Sequence, residues 1–178
     1  MVKKRIGVTD IEANGLYNTI SKFHCSHIID VSNIENRIGY KPGDFKKYIR
    51  DLSQCKDFDI FVGHNFIDFD SIALNKLDKS LKELKVFDTL VLSRMLYPER
   101  KTHSLKSWGI ELGILKGDYG EKEVEEGEDI WATYNDDMYV YCEQDCIVTW
   151  HLYHHLCKEA EFDPYDPPFY LIKFDRDV

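Results

Sequence analysis

Two acids that close an apolar run constrain this chain more than any other feature. Arg5-Ile-Gly-Val-Thr9 reads as a short buried strand, and Asp10-Ile11-Glu12 follows it directly. Side chains alternate along a strand, so Asp10 and Glu12 project from one face. No basic residue stands between or beside them to pair them off. Crowded carboxylates raise each other's pKa unless a cation sits between them. A hard divalent ion of the Mg2+ or Mn2+ kind is the economical resolution, because such ions prefer oxygen ligands and two of them need several carboxylates. A fold that suits this chain must bring more acids to the end of its first strand.

Later segments can supply them. Tyr141 and Asp145 are four apart in a long helical pattern and so are neighbours on one face. Asp145 would be the third strong ligand, and the tyrosine one turn away could hold a water. Alone, Tyr141 reads equally as a packed aromatic, one of eleven tyrosines. Gly63-His64-Asn65-Phe-Ile-Asp-Phe69-Asp70 offers an amide, a stacking aromatic and a carboxylate. The same stretch fits a strand-to-helix turn capped by Asp70, with Asp68 competing for either role. Asp88, in Phe87-Asp88-Thr89-Leu90, reads as a helix cap. His103 reads as a surface histidine within reach of substrate. His151, His154 and His155 form no HExxH arrangement.

The net charge of −9 argues against a protein that grips long duplex by charge alone. Its distribution is uneven. Ser71 to Lys116 carries nine Lys/Arg against five Asp/Glu, and Gly117 to Asp145 carries eleven acids against one lysine. A locally basic stretch beside clustered carboxylates suits a nuclease that holds a strand end, although most of 118–129 reads as a solvated acidic face. No run of about 18 apolar residues is present, which excludes a membrane-spanning helix. The N-terminus lacks the apolar core of a signal peptide, so a cytoplasmic protein is expected. The five cysteines contain no CxxC pair, and the helical spacing of Cys142 and Cys146 marks them as packing residues.

With 178 residues, 43% of them hydrophobic, the chain suits one core. Strands are expected at 5–10, 22–31, 36–40 and 59–63. Helices are expected after Asp44, over 70–77, from 88 to Pro98, over 104–112 and over 135–158. The segment 113–133 reads as loop with broken helix. This order indicates an α/β layer with a mixed sheet. Residues 161–178, with three prolines, read as an extended tail or the stump of a linker.

The order D-x-E, N-x4-D, Y-x3-D resembles the three motifs of the DEDDy branch of DnaQ-like 3′→5′ exonucleases. The similarity extends beyond the motifs. Thr-Asp-Ile-Glu-Ala-Asn-Gly-Leu (9–16), Ser-Lys-Phe-His-Cys (21–25), Gly-His-Asn…Phe-Asp…Ala-Leu (63–74), Asp-Thr-Leu-Val-Leu-Ser-Arg (88–94), Leu-Lys-Ser-Trp-Gly…Leu-Gly (105–113) and Tyr-Cys-Glu-Gln-Asp-Cys-Ile-Val-Thr (141–149) resemble the proofreading domain of family A DNA polymerases from short-tailed bacteriophages. The histidine branch would place His at 140, where Val140 stands.

The resemblance covers about residues 5 to 160 and implies an RNase H-like fold, a mixed central β-sheet flanked by α-helices, with an exonuclease domain at 1–160. It implies that Asp10, Glu12, Asp70 and Asp145 hold two Mg2+ or Mn2+ ions and that Tyr141 orients the attacking water. Leu16 matches an apolar wedge against the terminal base, and Asn65 a residue near the strand. Ala13, Phe69 and His103 complete the expected substrate contacts. The implied activity is removal of 5′-mononucleotides from single-stranded or frayed DNA 3′ ends. The protein would act as a monomer, alone or with a polymerase domain or subunit, and away from membranes. An exoribonuclease on the same fold and a non-catalytic module that binds a polymerase or a strand end are the competing readings.

Overall fold

In a computed structural model of the chain, residues 4–15, 18–53, 58–79, 81, 84–119 and 129–174 are described. The apolar run ending in acids becomes β1 (Ile6–Ala13), inside a sheet completed by β2 (Phe23–Asp30), β3 (Arg37–Tyr40), β4 (Ile60–Gly63), β5 (Lys85–Asp88) and β6 (Ile172–Phe174). The strand order is β3-β2-β1-β4-β5-β6. β1, β4 and β5 run parallel, whereas β2, β3 and β6 join by antiparallel pairing. The sheet is mixed, as expected.

Five helices flank it: α1 (Phe45–Ser53), α2 (Asp70–Leu77), α3 (Thr89–Leu96), α4 (Leu105–Leu112) and α5 (Asp136–Glu159). Their ends follow local chemistry. Asp88 caps α3 by accepting from Leu90 N, Ser104 caps α4 through Ser107 N, and Asn135 caps α5 through Met138 N. Gly113 closes α4 in the left-handed conformation, φ 69°. Asp44 sits at the end of a 3-10 turn ahead of α1, and its carboxylate accepts from the Lys41 N–H.

The two faces of β1 feed different cores. Ile11 and Ala13 pack with Phe23, Ile28, Tyr48 and Leu52 on the α1 side. Val8, on the other face, joins Val148, Leu152, Tyr153 and Leu156 of α5. The alternation that sends Ile11 one way sends Asp10 and Glu12 the other, toward α5. The Tyr139 side chain of α5 lies over Gly39 of β3. A Cβ at that position would lie 1.7 Å from the Tyr139 hydroxyl, on a ring whose centroid is 4.3 Å from that of His27.

The segment after 160, expected as an extended tail or the stump of a linker, forms a strand at β6. There it pairs with β5 through Phe87↔Ile172, and Leu171 and Ile172 enter the core. Tyr153, whose hydroxyl donates to the Pro164 carbonyl, ties the proline-rich stretch to α5. Residues 120–128, within the expected acidic face, lie outside the described residues, as do Leu16 and Cys55. Among the described residues no helix is long and apolar enough to cross a membrane.

Candidate active site

The site forms where two strands part. Pairing between β1 and β4 ends at Val8↔Val62, while β1 continues to Ala13 against β2 alone. The β1 edge beyond Val8 therefore needs another partner for its N–H groups. Asp70 supplies it: its Oδ1 accepts from Ile11 N at 3.1 Å. Asp70 thus does not cap α2, whose N-cap is Phe69 with no side-chain capping bond. Its carboxylate is turned to the strand that carries Asp10 and Glu12.

Asp88 fixes the loop that delivers Asp70. It caps α3 as expected, and it also accepts from Asn65 N at 2.9 Å and Ile67 N at 3.1 Å. Asn65 adopts φ 63°, a left-handed turn that asparagine tolerates better than most residues. His64 reaches Thr89 Oγ1 at 2.9 Å, and burial lowers its pKa to about 4, which keeps the ring neutral.

From the opposite side α5 brings Asp145, only 4% exposed. The four acids act on one another. Burial, then the Asp145 carboxylate, raises Asp10 to about 7. Burial followed by Asp10 and Asp145 raises Glu12 well above the carboxylate range, and burial followed by Asp10 does the same to Asp70. Such a cluster is unstable as four bare anions.

One cation belonging to the chain enters the cluster, and local reading of β1 did not reveal it. Lys116 Nζ donates to Asp145 Oδ2 at 2.5 Å and lies 4.7 Å from the Tyr141 ring centroid. Burial alone would depress the ammonium, but Asp145 and Tyr141 outweigh it and hold it above its ordinary value. Burial still leaves Asp145 raised, even with Lys116 pulling it down. Burial, then Asp145, likewise raises Tyr141, so its hydroxyl remains protonated. The Tyr141 hydroxyl, like Lys116, works to lower the Asp145 carboxyl. Val140, beside it, is 62% exposed and points elsewhere.

The site fits a divalent metal. Among the described residues Asp145 Oδ1 is buried without a hydrogen-bond partner, on a carboxylate whose charge acts on Asp10 and Glu12. Ligand atoms of Asp10, Glu12 and Cys142 lie within 4.8 Å of one another. Cys142 is a wall of this cluster. Burial holds its thiol protonated, and Sγ lies 3.6 Å from the Asp10 carbonyl oxygen. Hard cations take the oxygens. Cys146 lies 3.7 Å from the His27 carbonyl, a packing role like that expected for both residues.

Ala13 and Phe69 line a cavity of about 270 Å3 with Glu12, Gly15 and Trp131. His103, in contrast, is half-buried and bonded through Nδ1 to Ser93 Oγ at 2.7 Å. It does not line that cavity. Lys116 and Trp131 escaped the sequence reading because no spacing ties either to an acid. The only hint for Lys116 is its place as the last cation before the acidic stretch.

With this geometry in place, known proteins can be compared. No protein-family model matches the chain. It is 33% identical over 192 residues to the DNA-directed DNA polymerases of Escherichia phage T7 and Enterobacteria phage T3, matching 88% of this chain and 27% of theirs. The chain therefore spans about a quarter of the length of these relatives. It is 38% identical over 94 residues to DNA polymerase III PolC-type of Bacillus subtilis, across 48% of this chain and 6% of that one. Among solved structures, Brucella melitensis NrnC with bound Mg2+ superposes with a TM-score of 0.61 at 17% identity, covering 88% of this chain and 73% of that one. Phi29 DNA polymerase with single-stranded DNA gives 0.60 at 9%, covering 90% and 32%. The fold is RNase H-like, a mixed sheet flanked by helices, as expected. In sequence the chain is a relative of the T7 and T3 polymerases, which bears out the resemblance to phage polymerases seen in the sequence.

Proposed function

We propose that the chain is a metal-dependent 3′→5′ exonuclease that releases 5′-mononucleotides from single-stranded or frayed DNA ends. The observation that carries this is the convergence of Asp10, Glu12, Asp70 and Asp145, with Asp145 Oδ1 left without a partner. Asp10, Glu12, Asp70 and Asp145 would hold a pair of Mg2+ or Mn2+ ions, which supply an activated water and stabilise the leaving 3′ oxygen. Tyr141, kept neutral, gives or takes a hydrogen bond to the water without ionising. Lys116 orients Asp145 and favours its ionised form. Asp88 holds the loop from which Asn65 and Phe69 face the strand.

Stacking on apolar and aromatic side chains such as Leu16 and Phe69 is indifferent to sequence, which suits an enzyme that trims any end. Preference for frayed ends follows from the unpairing cost, smallest at a mismatch. The T7 and T3 relatives are DNA polymerases, which supports DNA as substrate and an editing role, as a monomer in the cytoplasm or joined to a polymerase domain. A second reading, trimming of RNA or very short oligonucleotides, draws on the fold neighbour NrnC, solved with pGG.

End-labelled DNA and RNA strands of 2 to about 20 nucleotides, incubated with and without Mg2+, test both readings. The expected result is Mg2+-dependent, stepwise loss of mononucleotides from DNA 3′ ends, absent in Asp10→Ala. Equal activity in Asp10→Ala would overturn the site, and RNA cut faster than DNA would favour the second reading.

A further inference from the structure

We infer that Trp131, outside every motif that defines the site, is a wall of the terminal-base pocket and sets the position of Tyr141. The inference rests on the exonuclease reading above. It begins with an irregularity in the sheet. Along β1 and β2, Glu12 pairs with Cys25 but Ala13 pairs with Phe23, so His24 is an extra residue in a bulge. Bulges re-aim side chains and often lie beside active sites. The bulged His24 is 3% exposed, and its Nε2 bonds the Trp131 carbonyl at 2.8 Å. Neighbouring bonds fasten the same strap: the Tyr119 hydroxyl donates to the Ile130 carbonyl at 3.0 Å, and Trp131 N donates to Asp129 Oδ1 at 2.9 Å.

Thus held, the Trp131 indole does two things. It lines the 270 Å3 cavity that also contains Glu12 and Phe69, bringing an aromatic surface next to a metal-binding carboxylate. It also packs edge-on against Tyr141, with centroids 6.0 Å apart, and against Tyr119 at 5.2 Å. One ring therefore touches both the space for the departing base and the tyrosine that orients the water. A base in the cavity presses on Trp131, and Trp131 restrains Tyr141. An end that carries a base is then cut faster than one that lacks it, because binding energy away from the reacting bond steadies the catalytic geometry.

The test uses two oligonucleotides that differ only in whether the 3′-terminal sugar carries a base. The wild-type protein is expected to cleave the base-bearing end roughly tenfold faster in kcat/KM. Trp131→Ala should reduce that ratio toward one, with a lower kcat as well as a higher KM on the base-bearing end, while Trp131→Phe restores most of it. A purely structural role would slow both substrates alike and leave the ratio unchanged, which would overturn the inference. Should Trp131→Ala fail to fold, unaltered protein with Ca2+ in place of Mg2+ can be photo-crosslinked to a 3′-terminal 5-iodouracil. A crosslink in the Ile130–Thr133 peptide supports the assignment, and crosslinks confined to other peptides overturn it. A wild-type protein that hydrolyses no 3′ end defeats the exonuclease reading itself, a result distinct from an active enzyme indifferent to the base.

Discussion

Both halves of α5 bury a face of the helix yet do opposite work. From Val148 to Cys157 the buried face carries Val148, Leu152, Tyr153 and Leu156, packed on the sheet with Val8 and Phe87. From Met138 to Cys146 the same helix buries Met138, Cys142 and Cys146 around Asp145, whose charge acts on Asp10 and Glu12. A core can be built from either stretch, but only the apolar one gains stability from burial. The acidic one is a local violation of that rule, of the sort expected where chemistry is done. Helix α5 is therefore anchored by its second half and spends that stability on its first.

Four measurements would break or sharpen this contrast. Asp145→Ala should lower nucleotide release by about a thousandfold or more, the scale on which lost transition-state stabilisation is felt, while circular dichroism shows the fold unchanged. Lys116→Met should cost about 10- to 100-fold, as for partners that orient a ligand. It should also move the acid limb of the pH–rate profile upward, because the ammonium is what lowers Asp145. Leu152→Ala, at a fully buried position, should lose about 2–5 kcal/mol in denaturant unfolding, with activity per folded molecule retained.

The fourth concerns pH without metal. Asp10 is raised to about 7 in the folded chain against an ordinary value of 3.8, so the folded state binds the extra proton between those limits. Stability in EDTA should fall as pH climbs from about 4 to about 7, with Glu12 and Asp70 acting in the same direction. Mg2+ should reverse the loss at the upper end, and Asp10→Asn should make the fall shallower. A metal-free melting temperature that rises through this window would contradict the picture of an uncompensated cluster.

Much of this was legible in the residues. The period-2 pattern of β1 already set Asp10 and Glu12 on one face, and the i, i+4 relation of Tyr141 and Asp145 did the same on the helix. Both are properties of local geometry. The resemblance to phage polymerases added Asp70, whose own context left a capping role open. Lys116 and Trp131 were illegible because they reach the site by tertiary packing, through an ammonium from a loop and an indole hung on a bulged strand. β6 was missed for a related reason. Its three residues follow a proline-rich stretch, and strand formation there depends on the edge that β5 offers.

Gly39 carries a consequence for the whole arrangement. A Cβ at that glycine would meet the tip of the Tyr139 side chain and the His27 ring. Alanine there would push the Tyr139 ring off its seat on the outer strand, a contact made by the first turn of α5, the turn just before Tyr141 and Asp145. A loss of nucleotide release in Gly39→Ala would then report strain carried along that helix, with every acid in the chain intact.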